Sequence, residues 1–196
     1  DLKYIQDLAA RNNFVFYIEP TPVPGVNTAY WGLENRLGMP QPDLSINQES
    51  LSNVDTPMNF GYDALAANQP QVSILDPFTR QRIPVPLPTS VQPSLATQAV
   101  RPLRTTIPRG TAHLPLSQAM LRSQVAAGDS DEVASTQGEV DTVRYGHVLQ
   151  ARRLVRVVGS GSTNSGTYYV KKVTHRIRRG DYKQSFELTR EGRGAL

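Results

Sequence analysis

The 196 residues contain no cysteine. That excludes a disulfide scaffold, a thiolate metal site, a catalytic cysteine and a redox motif. Long hydrophobic runs are missing too: no apolar stretch approaches the ~20 residues that cross a bilayer. A membrane-spanning helix is therefore not expected, and no basic-plus-apolar leader opens the sequence. Histidine is scarce. His113, His147 and His175 fall in unrelated segments, with no carboxylate spacing that repeats a metal motif. Gly159-Ser160-Gly161 continues into neither GxGxxG nor GxxxxGK(S/T), and the next element reads as a strand, so the helix N-terminus that binds phosphate is missing. No cofactor and no small-molecule substrate are expected. Two carboxylate groups, Asp129 with Asp131 and Glu132, and Glu139 with Asp141, have no recognisable acid or base partner. Both read as solvated surface, and an enzyme is not expected.

What is present suits a folded, β-rich chain. The apolar set AVILMFWYC makes up 38% of it, beside 15 prolines and 14 glycines. That permits a core and is far from low-complexity or collagen-like composition. The net charge of +4 hides an asymmetry. Residues 1–142 carry 9 Lys/Arg against 14 Asp/Glu, and residues 143–196 carry 12 against 3. Such a split suggests an electrostatic partner for the C-terminal part, on this chain or another, or else a solvated basic face. The sequence opens on Asp1 rather than Met, as a processed or truncated chain would.

Leu2, Ile5, Leu8 and Ala9 have the spacing of a helix that buries one face. Asn12-Asn13 supplies its stop, because asparagine tolerates the left-handed conformation that ends helices. Phe14–Ile18, β-branched and aromatic, follows as a strand. Short strands are expected over 29–33, 43–48, 57–62 and 71–75. A weaker one near 82–87 is interrupted by Pro84 and Pro86, as an edge or polyproline-type stretch would be. Residues 89–115 show no periodicity and read as an extended connector. A helix over 116–127, with Leu116, Met120, Leu121 and Val125 on one side, leads into strands over 133–145, 153–158, 166–177 and 181–189, the last two joined by a tight turn at Arg179-Gly180-Asp181. In strict alternation Tyr169, Lys171, Val173, His175 and Ile177 share one face, and Tyr182, Gln184, Phe186 and Leu188 share one face of the next strand.

The expected class is thus β-rich α+β, with a small antiparallel barrel at the C-terminus and an N-terminal helix–strand unit with short strands. The expected organisation is an α+β domain over 1–88, a proline-rich connector with a short helix over 89–130, and a barrel-like domain over 131–196. Gly166, Tyr168, Val170, Val173, His175, Gly180, Tyr182, Phe186 and Leu188 are the candidate packing and turn residues. Arg152, Arg153, Arg156, Arg176, Arg178, Arg179 and Lys183 form a candidate basic interface. Clustered cations near Tyr168, Tyr169 and Tyr182 are what phosphate neutralisation and base stacking need. On a hairpin, however, such aromatics pack inward and edge cations discourage unwanted strand pairing, so nucleic acid is the alternative partner and not the expected one.

Two segments carry a resemblance. One runs Gly166-Thr167-Tyr168-Tyr169-Val170-Lys171-Lys172-Val173-Thr174-His175-Arg176-Ile177, then a glycine turn, then Tyr182-Lys183-Gln184-Ser185-Phe186-Glu187-Leu188-Thr189-Arg190, with Gly138 and Leu154–Gly161 upstream. The pattern is G-x-Y-x-V-x-x-V-x-H-x-I, then Y-x-x-x-F-x-L-x-R. The other is the N-terminal unit Asp1–Ala9 with Asn13-Phe14-Val15-Phe16-Tyr17, followed by Asn59-Phe60-Gly61-Tyr62-Asp63. Together they resemble the baseplate hub proteins of contractile injection systems, the phage late control protein D family, which includes the hub part of the type VI secretion spike (valine-glycine repeat protein G). The resemblance implies a homotrimer of paired barrel-like domains, matching a hexameric inner tube on one side and a trimeric spike on the other. Its partners would be the tube protein, the spike protein and other baseplate components, in a phage tail-like particle assembled in the bacterial cytoplasm and then released or membrane-anchored. The family's first barrel-like domain would lie upstream of the helix–strand unit, and 89–115 has no counterpart in the pattern.

Overall fold

The computed structural model describes residues 1–48, 52–76, 78–85, 92–128 and 132–195. In chain order its elements begin with helix α1 (Leu2–Arg11) and strands β1 (Val15–Pro20), β2 (Asn27–Gly32), β3 (Gln41–Ser45) and β4 (Asn59–Tyr62). Short strands follow: β5 (Asn68–Pro70), β6 (Ser73–Leu75), β7 (Arg82–Pro84), β8 (Gln98–Ala99) and β9 (Arg104–Thr106). Then come α2 (Leu116–Gly128), β10 (Ala134–Asp141), α3 (Thr142–Tyr145), β11 (Leu154–Val158) and α4 (Gly161–Asn164). The chain finishes with β12 (Gly166–Arg178), β13 (Asp181–Arg190) and β14 (Gly192–Arg193). The α+β class is as the sequence implies. Asp129 and Asp131 of the first carboxylate group, and residues 86–91 of the weak strand and connector, lie outside the described residues.

Two units divide the chain, and each draws on non-contiguous segments. The first takes residues 1–34, 68–90 and 104–129, and the second takes 35–67, 91–103 and 130–196. In the first unit, α1 ends as its asparagines dictate: the Asn12 side chain donates to the Leu8 carbonyl at 2.7 Å, and Asn13 sits at φ 56. Of the expected apolar face only Ala9 is buried, while Leu2 and Leu8 stay exposed. The turn directs the chain into the β1–β2 hairpin, where Tyr17 stacks on Tyr30 and Phe14 meets Trp31 edge-on. The small core of this unit is Val72, Val85 and Ala119, flanked by Ile74, Leu114 and Met120. Its helix α2 turns Ala119 and Ser123 inward, one turn apart, and leaves Leu116 exposed. Of the expected apolar stripe Met120 flanks this core and Leu116 does not.

The second unit is built on one six-stranded sheet in the order β3-β11-β12-β13-β10-β4. All its neighbours are antiparallel except β3, which runs parallel to β11. The inner face collects Leu44, Val140, Val155, Val157, Tyr168, Val170, Phe186 and Leu188, with Val54, Tyr145 and Leu149 closing over it. Each such aliphatic side chain contributes roughly 1.5–3 kcal/mol by leaving water. The expected closed barrel does not form. The edges β3 and β4 share no ladder, and the space between them is crossed by the segment 53–55 through isolated bonds. The Asn53 N–H donates to Ser45 at 3.0 Å, Val54 bridges Val140, and the Asp55 N–H donates to Glu139 at 2.9 Å. An open groove lined by Ile46, Val54, Met58 and Phe60 marks the gap.

Two further differences concern single turns. The strand expected over 133–145 ends at Asp141, whose carboxylate accepts the Val143 N–H at 2.8 Å and starts α3. The glycine-serine linker holds the one-turn helix α4. At the end of α3 the buried Tyr145 hydroxyl donates to the Pro42 carbonyl at 2.6 Å. Burial, aided by the charge of Asp43, pushes its pKa up to about 12. The folded value exceeds the unfolded one of about 10, so the folded chain holds this proton more tightly. The resulting stability is intact below pH 10 and is lost as pH rises from 10 towards 12. Tyr145→Phe is expected to flatten that alkaline loss in a series of urea midpoints, at a cost of about 1 kcal/mol near pH 7 for the missing hydrogen bond.

Candidate functional site

The long hairpin β12–β13 carries most of the singled-out residues. Tyr168, Val170, Phe186 and Leu188 are buried, and Val173 packs partly covered against the same cluster. A bulge between Val170 and Lys172 sets this arrangement. It shifts the alternation, so Tyr168 and Val170 face the core together with Val173, opposite Leu188 and Phe186. The face expected from strict alternation, with Tyr169 and Lys171 beside Val173, is corrected by that one extra residue. The signal was present in the V-x-x-V spacing of the motif, which breaks a period of two.

Beyond Val173 strand β12 leaves the core. His175 and Ile177 are exposed, and Gly180 sits in the turn between the paired Arg178 and Asp181. The His175 Nδ1 lies 2.8 Å from the Tyr182 hydroxyl. Gln184 is fully buried, and its amide pairs with Leu149 in both directions, accepting from the N–H and donating to the carbonyl at 2.9 Å each. This substitutes for a strand partner that the 146–150 loop lacks.

Two glycines are explained by what lies against them. Gly138 is opposite Phe186 in register, and a β-carbon there would stand 2.7 Å from the tip of the Phe186 ring. The ring uses the space that only a missing side chain leaves. Gly166, at φ +127, faces Arg190, whose Nη1 would lie 2.8 Å from an added β-carbon. Arg190 is 2% exposed. Its guanidinium donates from Nε to Gly192 (2.9 Å), from Nη1 to Ser165 (3.1 Å) and Gly194 (3.2 Å), and from Nη2 to Thr163 (3.0 Å). It also stands 4.4 Å over the Tyr168 ring. Burial holds its pKa below the usual arginine value, against the opposing charges of Tyr168 and Glu191. The last arginine of the motif is thus the clamp joining the 163–165 loop to the chain after β13. Neighbouring Glu191 accepts from Ser94 at 2.8 Å, from the Leu95 and Ala96 N–H groups and from Arg36, fixing residues 94–96. Alternation placed Gln184 on the face of Phe186 and Leu188, which is the buried one, but nothing in the spacing singled out Glu191.

The candidate basic residues are brought together less than expected. Arg156 pairs with Asp43 of the parallel edge strand. Arg176 reaches Glu139 at 3.0 Å, and Lys183 lies 3.2 Å from Asp55 and 3.7 Å from Glu139. The hydrogen bond to Asp55, then its charge, raises the Lys183 pKa. Arg144 joins Asp55 at 3.2 Å, and Lys171 pairs with Glu132. Glu139 also accepts from Ser185, so it is an ion-pair hub and not the solvated surface expected of it. Glu132 is likewise engaged. Arg178 and Arg179 are exposed at the hairpin tip, Arg153 is exposed before β11, and Arg152 is half-buried at φ 65. The lopsided charge of the sequence is largely undone by folding: the second unit gathers 14 Lys/Arg and 11 Asp/Glu. Tyr168 and Tyr169, at 1% and 2% exposure, have no face to offer a base. That removes most of the groundwork for nucleic-acid binding. Among the described residues no group of three or more His, Cys, Asp or Glu is placed to hold a metal ion, and no helix is long and apolar enough to cross a membrane.

No protein-family model and no curated protein matches the chain. Solved structures do. The tail protein from Neisseria meningitidis MC58 superposes with a TM-score of 0.60 at 15% identity, over 98% of this chain and 54% of that one. The 43 kDa tail protein of prophage MuSo2 from Shewanella oneidensis gives 0.55 at 12% identity, over 94% and 52%. The chain shares the fold of these tail proteins. It spans about half the length of each. At such low identity the likeness is one of backbone course, and in this chain the tail-protein fold is maintained by the inner-face cluster, the Gly138–Phe186 contact and the Arg190 clamp.

Proposed function

We propose that this chain belongs to the hub of a contractile injection system or phage-like tail, a homotrimer that joins a hexameric inner tube to a trimeric spike. The observation that carries the reading is the fold held in common with the Neisseria tail protein over 98% of the chain. The order and spacing of the helix–strand unit and the C-terminal hairpin support it. The role is mechanical, resting on shape and symmetry and not on bond chemistry. A sheet cross-linked by ion pairs over its outer face suits a part that must transmit load. The exposed aliphatics Val143 and Ile177 stand at the hairpin end of that sheet, beside Arg178 and Arg179, as a docking edge would need. The partners are the tube and spike proteins and other baseplate components of a particle assembled in the bacterial cytoplasm. The test is the symmetry of the purified full-length protein by mass photometry and electron microscopy. A threefold ring is expected, and a protein that stays monomeric at micromolar concentration overturns the reading.

A further inference from the structure

A cavity of about 130 Å³ opens beside the Arg190 clamp, lined by Phe60, Gly61, Tyr62, Ala134, Ser135, Asn164, Tyr168, Arg190 and Arg193. Its lining holds two arginines and no carboxylate. Elsewhere in the unit Arg36, Arg144, Arg156, Lys171, Arg176 and Lys183 each meet an acid. Arg190, nearly fully buried, is met by four neutral carbonyls, while the charge of Glu191 acts on it without an ion-pair contact. A guanidinium has five N–H groups, so one Nη2 hydrogen is left over. Burying a charge with no acid in direct contact is costly. Arg193 is held at the rim with its guanidinium 3.6 Å from the Tyr62 ring centre, which orients the planar group without neutralising it. The Ser135 hydroxyl and the Asn164 side-chain amide make no hydrogen bond to a described residue, and both line the same space. Convergent donors, two positive charges and an absence of acids form the environment that a small oxyanion requires. At ~30 Å³ per water molecule, the volume holds one such group together with a water or two.

We propose that this cavity is an oxyanion site, taking a single carboxylate or phosphate group between Arg190 and Arg193 with Ser135 and Asn164 as further donors. The site does not depend on the hub reading. The same chemistry is offered by an acidic side chain of a neighbouring protein and by a free phosphate, so the test uses both probes. The full chain, ¹⁵N-labelled, is titrated with sodium acetate and separately with inorganic phosphate, ionic strength being held constant with chloride. Saturable shifts confined to the Gly61, Ser135 and Asn164 amides and the Arg190 Nε–H are expected. Arg193→Gln is expected to weaken the apparent affinity at least tenfold, and Ser135→Ala about threefold, while signals away from the cavity stay in place. Saturation by acetate assigns the site to carboxylates, and saturation by phosphate assigns it to phosphate groups. Shifts no larger than those in chloride alone, or a midpoint unchanged in Arg193→Gln, overturn the proposal.

Discussion

Arg190→Leu is expected to lower the unfolding free energy by about 3–5 kcal/mol, the loss at the carbonyls it serves exceeding the relief of its buried charge. The loss has two sources. The carbonyls of Thr163, Ser165, Gly192 and Gly194 lose their shared donor, each buried acceptor losing up to about 1–3 kcal/mol where water cannot replace it. The Tyr168 ring loses its cation as well. A lysine keeps the charge but has no planar fork, so it cannot reach carbonyls on both the 163–165 loop and the 192–194 segment. Arg190→Lys is expected to recover less than half of the loss. Urea unfolding of the three proteins side by side measures this. A leucine variant within 1 kcal/mol of wild type would mean that the clamp is dispensable.

Phe186→Ala carries the second large effect, roughly 3–5 kcal/mol for deleting a buried aromatic ring. The contact with Gly138 makes the claim specific. Gly138→Ala alone places a methyl group against the ring tip and is expected to cost about 1–3 kcal/mol by overpacking. In Phe186→Ala the methyl has room, so the double variant should be more stable than the sum of the single losses implies. A coupling of about 0.5–3 kcal/mol in the double-mutant cycle is the expected result. Strict additivity would show that the ring does not lie over the glycine.

Local pattern reached far into this fold. The Leu2-to-Ala9 spacing and the Asn12-Asn13 stop located α1, and aromatic alternation with Gly180 located the β12–β13 hairpin, because both are written in neighbouring residues. Three things were not legible. The inward set around the bulge after Val170 was missed by strict alternation, although the V-x-x-V spacing carried its trace. The flanking strands β3 and β4 come from 41–62 and join β11 and β10 from far along the chain, one of them in parallel, which no local period encodes. The ion pairs were hidden for the same reason: Asp43 and Asp55 are remote in sequence from Arg156 and Lys183, so the basic tail looked unbalanced until folding brought acids to it. Of the candidate site, the packing residues were readable from hydrophobicity. The arginine cavity was not, since Arg193 and Ser135 meet only through the sheet.

The parallel seam between β3 and β11 bears on how the protein is made. About 110 residues separate the two strands, and ribosomes add roughly 5–20 residues per second. Leu44 and the rest of β3 therefore leave the exit tunnel on the order of ten seconds before Val155 and Val157 exist to cover them. During synthesis this strand is an unsatisfied, partly apolar edge, so yield in the cell should depend on chaperone supply more steeply than the finished protein's stability would suggest.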